Sequence, residues 1–396
     1  TATVTVSVNT APNAGTNATV SRCSNNAAFN LFAQLGGTPA PGGTWVGPSG
    51  ASNGTFTPGT STPGAYTYTV IGTAPCANAT AVVTVNITQA PNAGTNGTRS
   101  TCATDAPFTL FNSLGGTPDA GGTWTAPGGG VSNGTFTPGT SAPGAYTYTV
   151  TGTAPCANAT ATVTVSVVAP PNPGTNGSTT VCSNGPTVNL FTLLGGSPAA
   201  GGTWTRPNGT AHTGSLDPAT DPAGTYTYTV AGTAPCSAAS STVQVAKVTA
   251  PNAGTDGSIT VCSTMAPFQL FTVLGGTPSG SGTWRTPTNA AFNGTFTPGT
   301  TAAGTYKYIV FGTTPCVNDT AFVTVIVNQA PNAGSNATVT VCSNQAAFTL
   351  ISRLGGTPNA GGTWTGPDGL AFAGTYTPGT SAPGAYTYTV AGVSPC

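Results

Sequence analysis

The chain has 396 residues, a mass of 38.4 kDa and a formal net charge of zero, and only 4% of its residues are charged. This composition argues against nucleic-acid binding, because phosphate recognition needs clustered Lys and Arg. With seven acidic residues, one His and no apolar run of membrane-spanning length, we expect a non-enzymatic protein without cofactor, metal or membrane span.

Cysteine and tryptophan recur at fixed intervals along the whole chain. The cysteines alternate between separations of about 53 and 26 residues, which gives a repeat of about 80 residues. The ten cysteines are Cys23, Cys76, Cys102, Cys156, Cys182, Cys236, Cys262, Cys316, Cys342 and Cys396, and the five tryptophans are Trp45, Trp124, Trp204, Trp284 and Trp364. We place five repeats at residues 10–88, 89–168, 169–248, 249–328 and 329–396, after an isolated segment 1–9.

Within the first repeat, short segments of alternating residues are separated by Gly, Pro and Asn. In chain order they are 17–23, 29–32, 42–45, 53–59, 64–70 and 80–87. A period of two predicts strands, as in Gly64–Val70, where Tyr66, Tyr68 and Val70 share one face. Turn residues recurring every ~8–12 positions predict a small antiparallel β-sandwich of six or seven strands with the tryptophan in its core.

An even number of cysteines without a C-x-x-C pair favours disulfides over zinc, and therefore an oxidising, extracellular or cell-surface location. We expect one bond inside each repeat. The pairs would be Cys23–Cys76, Cys102–Cys156, Cys182–Cys236, Cys262–Cys316 and Cys342–Cys396. The alternative joins cysteines across the short spacing, such as Cys76 with Cys102, and leaves Cys23 and Cys396 free to link subunits.

The two ends of the sequence are out of phase with the repeats. Thr1–Val8 matches the segment after the second cysteine of a repeat, such as Thr80–Ile87, whereas the fifth repeat stops at Cys396, before that segment. We interpret Thr1–Val8 as an orphan last strand that completes the fifth repeat of another copy. Such strand addition is heterologous and generates a head-to-tail homopolymer. The donor residues would be Thr1, Ala2, Thr3, Val4, Thr5, Val6, Ser7 and Val8, and the acceptor groove would include Tyr386, Tyr388 and Val390.

A different interpretation of the same ends is that the sequence is a segment of a longer array. The next repeat would then continue the chain, and the protein would be part of a giant continuous-repeat surface adhesin or stalk, with carbohydrate binding as an additional role.

One set of motifs recurs in all five repeats. In the second repeat they are Pro91–Thr95, Leu114–Pro118, Gly121–Trp124, Gly144–Val150 and Gly152–Cys156. These motifs resemble the Ig-like tandem repeats of Bacteroidota surface proteins of the gliding-motility and adhesin type. The resemblance implies secretion to the cell surface and a structural or adhesive role. We therefore expect an all-β chain of five tandem Ig-like antiparallel β-sandwich domains of about 80 residues, with one disulfide each, arranged as a linear rod.

Sugar attachment is a further hypothesis, because a chain with so little charge lacks the usual protection against association. The candidate sites are Asn17, Asn53, Asn133 and Asn293 in Asn-x-Ser/Thr sequons, and Thr320 in Asp319-Thr320-Ala321, which resembles the O-glycosylation motif of Bacteroidota. The one histidine, His212, is expected to lie in a surface loop without a catalytic role.

Overall fold

The computed structural model describes all residues from Thr1 to Cys396. It consists of β-strands and five short 3₁₀ helices, and it contains no α-helix. Four repeats have seven strands each, and the fifth has five.

Six of the seven strands of the first repeat overlap a predicted segment, whereas the fourth strand lies in none of them. The first repeat has β1 (Ala18–Cys23), β2 (Phe29–Asn30), β3 (Thr44–Gly47), β4 (Gly50–Ser52), β5 (Thr55–Phe56), β6 (Gly64–Val70) and β7 (Ala79–Thr88). The second has β8 (Gly97–Cys102), β9 (Phe108–Thr109), β10 (Thr123–Thr125), β11 (Val131–Ser132), β12 (Thr135–Phe136), β13 (Gly144–Val150) and β14 (Ala159–Val168). The third has β15 (Gly177–Cys182), β16 (Val188–Asn189), β17 (Thr203–Thr205), β18 (Ala211–His212), β19 (Ser215–Leu216), β20 (Gly224–Val230) and β21 (Ala239–Val248).

The fourth repeat keeps this pattern and the fifth shortens it. The fourth has β22 (Gly257–Cys262), β23 (Phe268–Gln269), β24 (Thr283–Arg285), β25 (Ala291–Phe292), β26 (Thr295–Phe296), β27 (Gly304–Val310) and β28 (Asp319–Asn328). The fifth has β29 (Phe348–Thr349), β30 (Thr363–Thr365), β31 (Ala371–Phe372), β32 (Thr375–Tyr376) and β33 (Thr387–Thr389). The 3₁₀ helices are Phe32–Gln34, Leu110–Ser113, Leu190–Leu193, Leu270–Val273 and Leu350–Arg353.

Each complete repeat is an Ig-like sandwich of a five-stranded and a two-stranded sheet. In the first repeat the larger sheet has the order β1-β7-β6-β3-β4, while β2 pairs with β5, and the next three repeats have the same order. The predicted all-β, tandem Ig-like fold is therefore confirmed.

The sequence predicts wholly antiparallel sheets, and this prediction is wrong for one strand of each complete repeat. In the first repeat β1 runs parallel to β7, with Ala18 opposite Val83 and Cys23 opposite Thr88. The last strand of a repeat thus pairs along both edges, with the first strand on one side and with β6 or its equivalent on the other. Alternation along a strand does not reveal its direction, because both arrangements have a side-chain period of two.

Aromatic side chains fill the core of each sandwich. In the first repeat the Trp45 and Tyr68 rings lie 4.9 Å apart, and Phe32 meets the Tyr68 ring edge-on at 5.4 Å. Gly54 lies against this core with φ at +79°, and a Cβ there would come within 2.9 Å of the Trp45 ring. Only glycine satisfies both requirements at that turn.

The chain divides into two compact units. The first comprises Thr1–Pro173, Ala199–Gly202 and Thr229–Ser240, and the second comprises Gly174–Pro198, Thr203–Tyr228 and Ser241–Cys396. The first unit contains the first two sandwiches and the second contains the fourth and fifth, while strands β20 and β21 of the third cross the division. The repeat boundaries given above stay a prediction.

Candidate assembly interface

The fifth repeat is open where the other repeats hold their last strand. Its larger sheet has only three strands, in the order β31-β30-β33, and residues 337–342 form no strand although the equivalent β1 does. A groove of about 680 Å³ lies between 337–341 on one side and 384–388 on the other. Since the last strand normally pairs with both of these segments, its absence leaves both edges unpaired.

Core residues are exposed along this groove. Ala333 is exposed, although its equivalents Ala14, Ala93 and Ala253 are at most 3% exposed. Leu350 and Tyr386 are only half-buried, whereas the matching leucines and tyrosines of the complete repeats are buried. The groove is therefore a section of sandwich core open to solvent.

The predicted acceptor residues lie partly in this groove. Tyr386 and Tyr388 line it, together with Trp364, Leu350 and Val339. Val390 is half-buried and is not among the lining side chains.

The predicted donor segment is exposed and belongs to no strand. Val4, Val6 and Val8 are 89%, 79% and 89% exposed. Aligned on Asn9 and Thr88, Val4 corresponds to Val83 and Val6 to Val85, and both of these residues are fully buried. Thr1–Val8 thus has the sequence of a core strand and no core to bury it.

Asn9 fixes the end of this segment to the first repeat. Its Nδ2 donates to the Ala74 carbonyl at 2.8 Å, and its own carbonyl lies 3.6 Å from the Cys76 Sγ. Asn328, at the end of β28, makes the same two contacts with the fifth repeat, to the Ser394 carbonyl and the Cys396 Sγ. Asn9 therefore already occupies the position that the end of a last strand takes at a joint between repeats.

The disulfides join successive repeats, so the predicted pairing within repeats is wrong, and so is the alternative across the short spacing. Each bond links the first cysteine of one repeat to the second cysteine of the next. The four bonds are Cys23–Cys156, Cys102–Cys236, Cys182–Cys316 and Cys262–Cys396. Two cysteines that we expected in disulfides, Cys76 and Cys342, are free thiols.

The parallel first strand explains this pairing. Cys23 lies opposite Thr88 at the end of β7, whereas Cys76 precedes the start of that ten-residue strand. At about 3.3 Å per residue the strand separates the two cysteines by roughly 30 Å, and a disulfide requires Cα atoms within about 7 Å. Cys156 instead lies against the Thr88 carbonyl at 3.4 Å, directly beside Cys23.

The side chain of His212 is buried and the residue lies in a strand, so the expected surface-loop position is wrong. Its side chain is 2% exposed and packs on Tyr226 from strand β18. Nδ1 accepts from the Gly214 N–H, and Nε2 lies 3.1 Å from Asp221 Oδ2. A histidine takes the place held by Phe292 in the fourth repeat, because a buried carboxylate is present to receive its N–H.

Asp221 lies at the centre of this polar cluster. Its Oδ2 accepts from the Asp217 N–H at 2.8 Å and its Oδ1 accepts from Arg206 Nη2 at 2.9 Å. Burial opposes ionisation, but the hydrogen bonds from Asp217, His212 and Arg206 outweigh it and hold the pKa of Asp221 below its usual value. In the first repeat the Ser61 hydroxyl accepts from the Thr57 N–H, which corresponds to the N–H of Asp217. The cluster is therefore a charged variant of a turn found in other repeats.

The candidate glycosylation sites are all exposed. Asn53, Asn133 and Asn293 occupy equivalent turns, in which Oδ1 accepts a backbone N–H two residues later. Asn17 accepts from the Val82 N–H, and Thr320 lies near the start of β28. Their modification stays a prediction.

No group of three or more His, Cys, Asp or Glu side chains could hold a metal ion. The structure also has no helix with the length and apolar character needed to cross a membrane.

Comparison with known proteins identifies no family for this chain. No family model and no curated protein matches the chain. Among solved structures it is similar to Sidekick-1 immunoglobulin domains 1-5, with 16% identity, coverage of 80% of each chain and a TM-score of 0.22. It is also similar to a three-domain titin variant, with 15% identity, coverage of 67% of this chain and 92% of that chain, and a TM-score of 0.31. The insect immune protein hemolin matches with 14% identity, coverage of 79% and 98%, and a TM-score of 0.25. The fold assignment rests on the strand order described above.

Proposed function

We propose that the protein is an extracellular structural subunit that polymerises head to tail by donor-strand complementation. The observation that carries this proposal is the match between the exposed segment Thr1–Asn9 and the open groove of the fifth repeat. The disulfides favour an oxidising compartment, and the exposed sequons and Thr320 would carry glycans.

The fourth repeat gives the register of the incoming strand. Its last strand, β28, runs antiparallel to β27, with Val323 opposite Tyr306 and Ala321 opposite Tyr308. Transferred to the fifth repeat, Val4 of the donor copy lies opposite Tyr386 and Ala2 lies opposite Tyr388.

The second edge of the groove gives the same register. In the fourth repeat Val325 lies opposite Ile259 and Asn328 opposite Cys262, in a parallel pair. The donor's Val6 then lies opposite Val339 and its Asn9 opposite Cys342. A single placement of the donor strand therefore pairs with both edges of the groove, as β28 pairs with both of its neighbours.

Burial of the donor strand supplies much of the binding free energy. Ala2, Val4 and Val6 take the positions of Ala321, Val323 and Val325, all of which are at most 1% exposed. Each valine contributes about 1.5–3 kcal/mol on burial. The strand also supplies backbone hydrogen bonds along both edges, so one copy completes the sandwich of the next.

The contact is heterologous, because the strand and the groove are different surfaces of the chain. A heterologous contact that does not close into a ring extends without limit. The expected product is a fibre with one strand end and one groove end.

Two complementary variants test this proposal. Deletion of residues 1–8 leaves the groove without a donor. A second variant keeps its N-terminus but carries a copy of Val317–Asp319 followed by Thr1–Asn9 after Cys396, which fills its own groove. We expect neither variant to form fibres alone, and their mixture to give a 1:1 dimer by analytical ultracentrifugation.

Fibres of wild-type length from the deletion variant would contradict the proposal, as would failure of the mixture to form the dimer. The longer-array interpretation has its own signature. Native material would then remain one species far above 38.4 kDa after boiling in detergent and reduction, and that result would also overturn the proposal.

A further inference from the structure

We infer that successive copies in the fibre are linked covalently by a disulfide between Cys342 of one copy and Cys76 of the next. This inference rests on the proposed function, because donor-strand insertion brings the two thiols together.

The pairing pattern inside the chain leaves these two cysteines over. Each first cysteine bonds the second cysteine of the following repeat, at a sequence separation of 133 or 134 residues and a Cα–Cα distance of 4.9 or 5.0 Å. Cys342 is the first cysteine of the fifth repeat and Cys76 is the second cysteine of the first repeat, and both are free. When the first repeat of the next copy follows the fifth, the same rule joins them.

The contacts at the joint place the thiols within bonding reach. At the joint between the fourth and fifth repeats, the Asn328 carbonyl accepts from the Ser263 N–H at 2.8 Å and lies 3.3 Å from the Cys396 Sγ. Cys262, which bonds Cys396, is opposite Asn328 in the parallel pair. Asn9 is already 3.6 Å from Cys76, so a donor strand with Asn9 opposite Cys342 reproduces this arrangement.

Both thiols are accessible to an oxidant before assembly, since Cys342 is exposed and Cys76 is half-buried. The oxidant would be a low-molecular-weight disulfide. The Cys342 thiolate attacks it, forms a mixed disulfide and releases one small thiol. The Cys76 thiolate of the next copy then attacks the Cys342 sulfur of the mixed disulfide and releases the second small thiol. Two protein thiols are oxidised and one small disulfide is reduced, with the protons transferred to the released thiolates.

Isotope mixing distinguishes this bond from one within a chain. Equal amounts of ¹⁴N- and ¹⁵N-labelled full-length chains are assembled together, treated with glutathione disulfide and digested without reduction. We expect mixed-isotope Cys76–Cys342 peptide pairs to make up half of that species. Pairs of like isotope only would show an intra-chain bond and overturn the inference.

Serine variants separate the covalent bond from assembly itself. Cys342→Ser and Cys76→Ser should each lose the detergent-resistant, reducible ladder of wild type, yet keep their fibres in native buffer. The matched control, the Cys102→Ser and Cys236→Ser double variant, removes an internal bond and should keep the ladder.

Failure of the disulfide and failure of the proposed function give different results. Fibres in which both thiols still react with iodoacetamide after oxidation would overturn this inference and leave donor-strand assembly intact. Absence of any wild-type assembly would overturn the proposed function, and this inference with it.

Discussion

Val4 and Ser7 belong to the same exposed segment, but their counterparts in the complete repeats have opposite environments. The equivalents of Val4 are Val83, Val163, Val243 and Val323, all fully buried. The equivalents of Ser7 are Asn86, Ser166, Ala246 and Ile326, all exposed. The two residues therefore form a matched pair for testing insertion of the strand.

Val4→Asp should weaken binding of the donor to the deletion variant at least ~100-fold, since an unpaired buried carboxylate costs more than about 3 kcal/mol. Ser7→Asp adds the same charge on the solvent face and should change the affinity less than about threefold. Titration calorimetry measures both affinities, with each substitution made in the variant that fills its own groove and with the deletion variant as the acceptor. Equal losses in the two variants would contradict the proposed register.

Asp221 gives the third repeat a dependence on pH that the equivalent turn of the fourth repeat lacks. Its pKa in the folded chain is lower than usual, so its ionised form contributes stability above the unfolded pKa. That contribution is lost as the pH falls through the folded pKa. In the fourth repeat the Thr301 hydroxyl makes the corresponding bond to the Thr297 N–H and does not titrate in this range.

Acidification from pH 7 to pH 3 should reduce hydrogen-exchange protection in peptides covering 206–226 more than in the equivalent peptides 286–306. Asp221→Asn should reduce stability at pH 7 by roughly 1–3 kcal/mol, since His212 and Arg206 lose their charged partner. It should also remove the extra acid sensitivity. Equal loss of protection in the two regions of the wild type would show that the cluster does not titrate as described.

At the scale of elements, the strands could be predicted and the direction of one of them could not. The predicted strand Gly64–Val70 has the same bounds as β6, and Thr80–Ile87 lies within β7. Of the three predicted acceptor residues, Tyr386 and Tyr388 line the groove and Val390 does not. The parallel direction of β1 leaves no trace in a two-residue alternation, and the disulfide pairing depends on it.

A peptide with the sequence of Thr1–Asn9 should restore the missing pairing of the fifth repeat. Because the groove has two edges, we expect slower amide exchange in both 337–342 and 384–390 of the deletion variant. A peptide carrying Val4→Asp is the control and should protect neither segment. Protection of only one segment would indicate binding at the sheet edge instead of insertion.

At the scale of the molecule, the regular spacing of the cysteines does not determine their pairing. A bond from a first cysteine to the second cysteine of its own repeat and a bond to the second cysteine of the next repeat are both consistent with the same spacing. The low charge is a second property of the whole chain, with only 4% of residues charged. A neutral surface offers little electrostatic protection against association, which is the physical reason for the glycan proposal.

Material purified from its natural source should therefore have an intact mass above 38.4 kDa by sugar-sized increments. Peptide mapping should place sugars on exposed positions such as Asn53 or Thr320. A mass equal to that of the bare polypeptide would contradict the proposal.

The staggered disulfides also set how far the chain can be stretched. From Cys23 a pull passes through the bond to Cys156, along the backbone to Cys182, and through the bond to Cys316, which leads to Cys342. Only the backbone stretches 156–182 and 316–342, of about 26 residues each, bear load on this path. The maximum distance between Cys23 and Cys342 is therefore about 180 Å in the oxidised chain and about 1,100 Å in the reduced chain.

Handles at Thr19 and Thr340 in an optical trap would measure this difference as a contour length that grows about sixfold on reduction. Equal contour lengths would contradict the pairing. Most of each sandwich is bypassed, so the oxidised protein should behave as a nearly inextensible tether that transmits tension without unravelling.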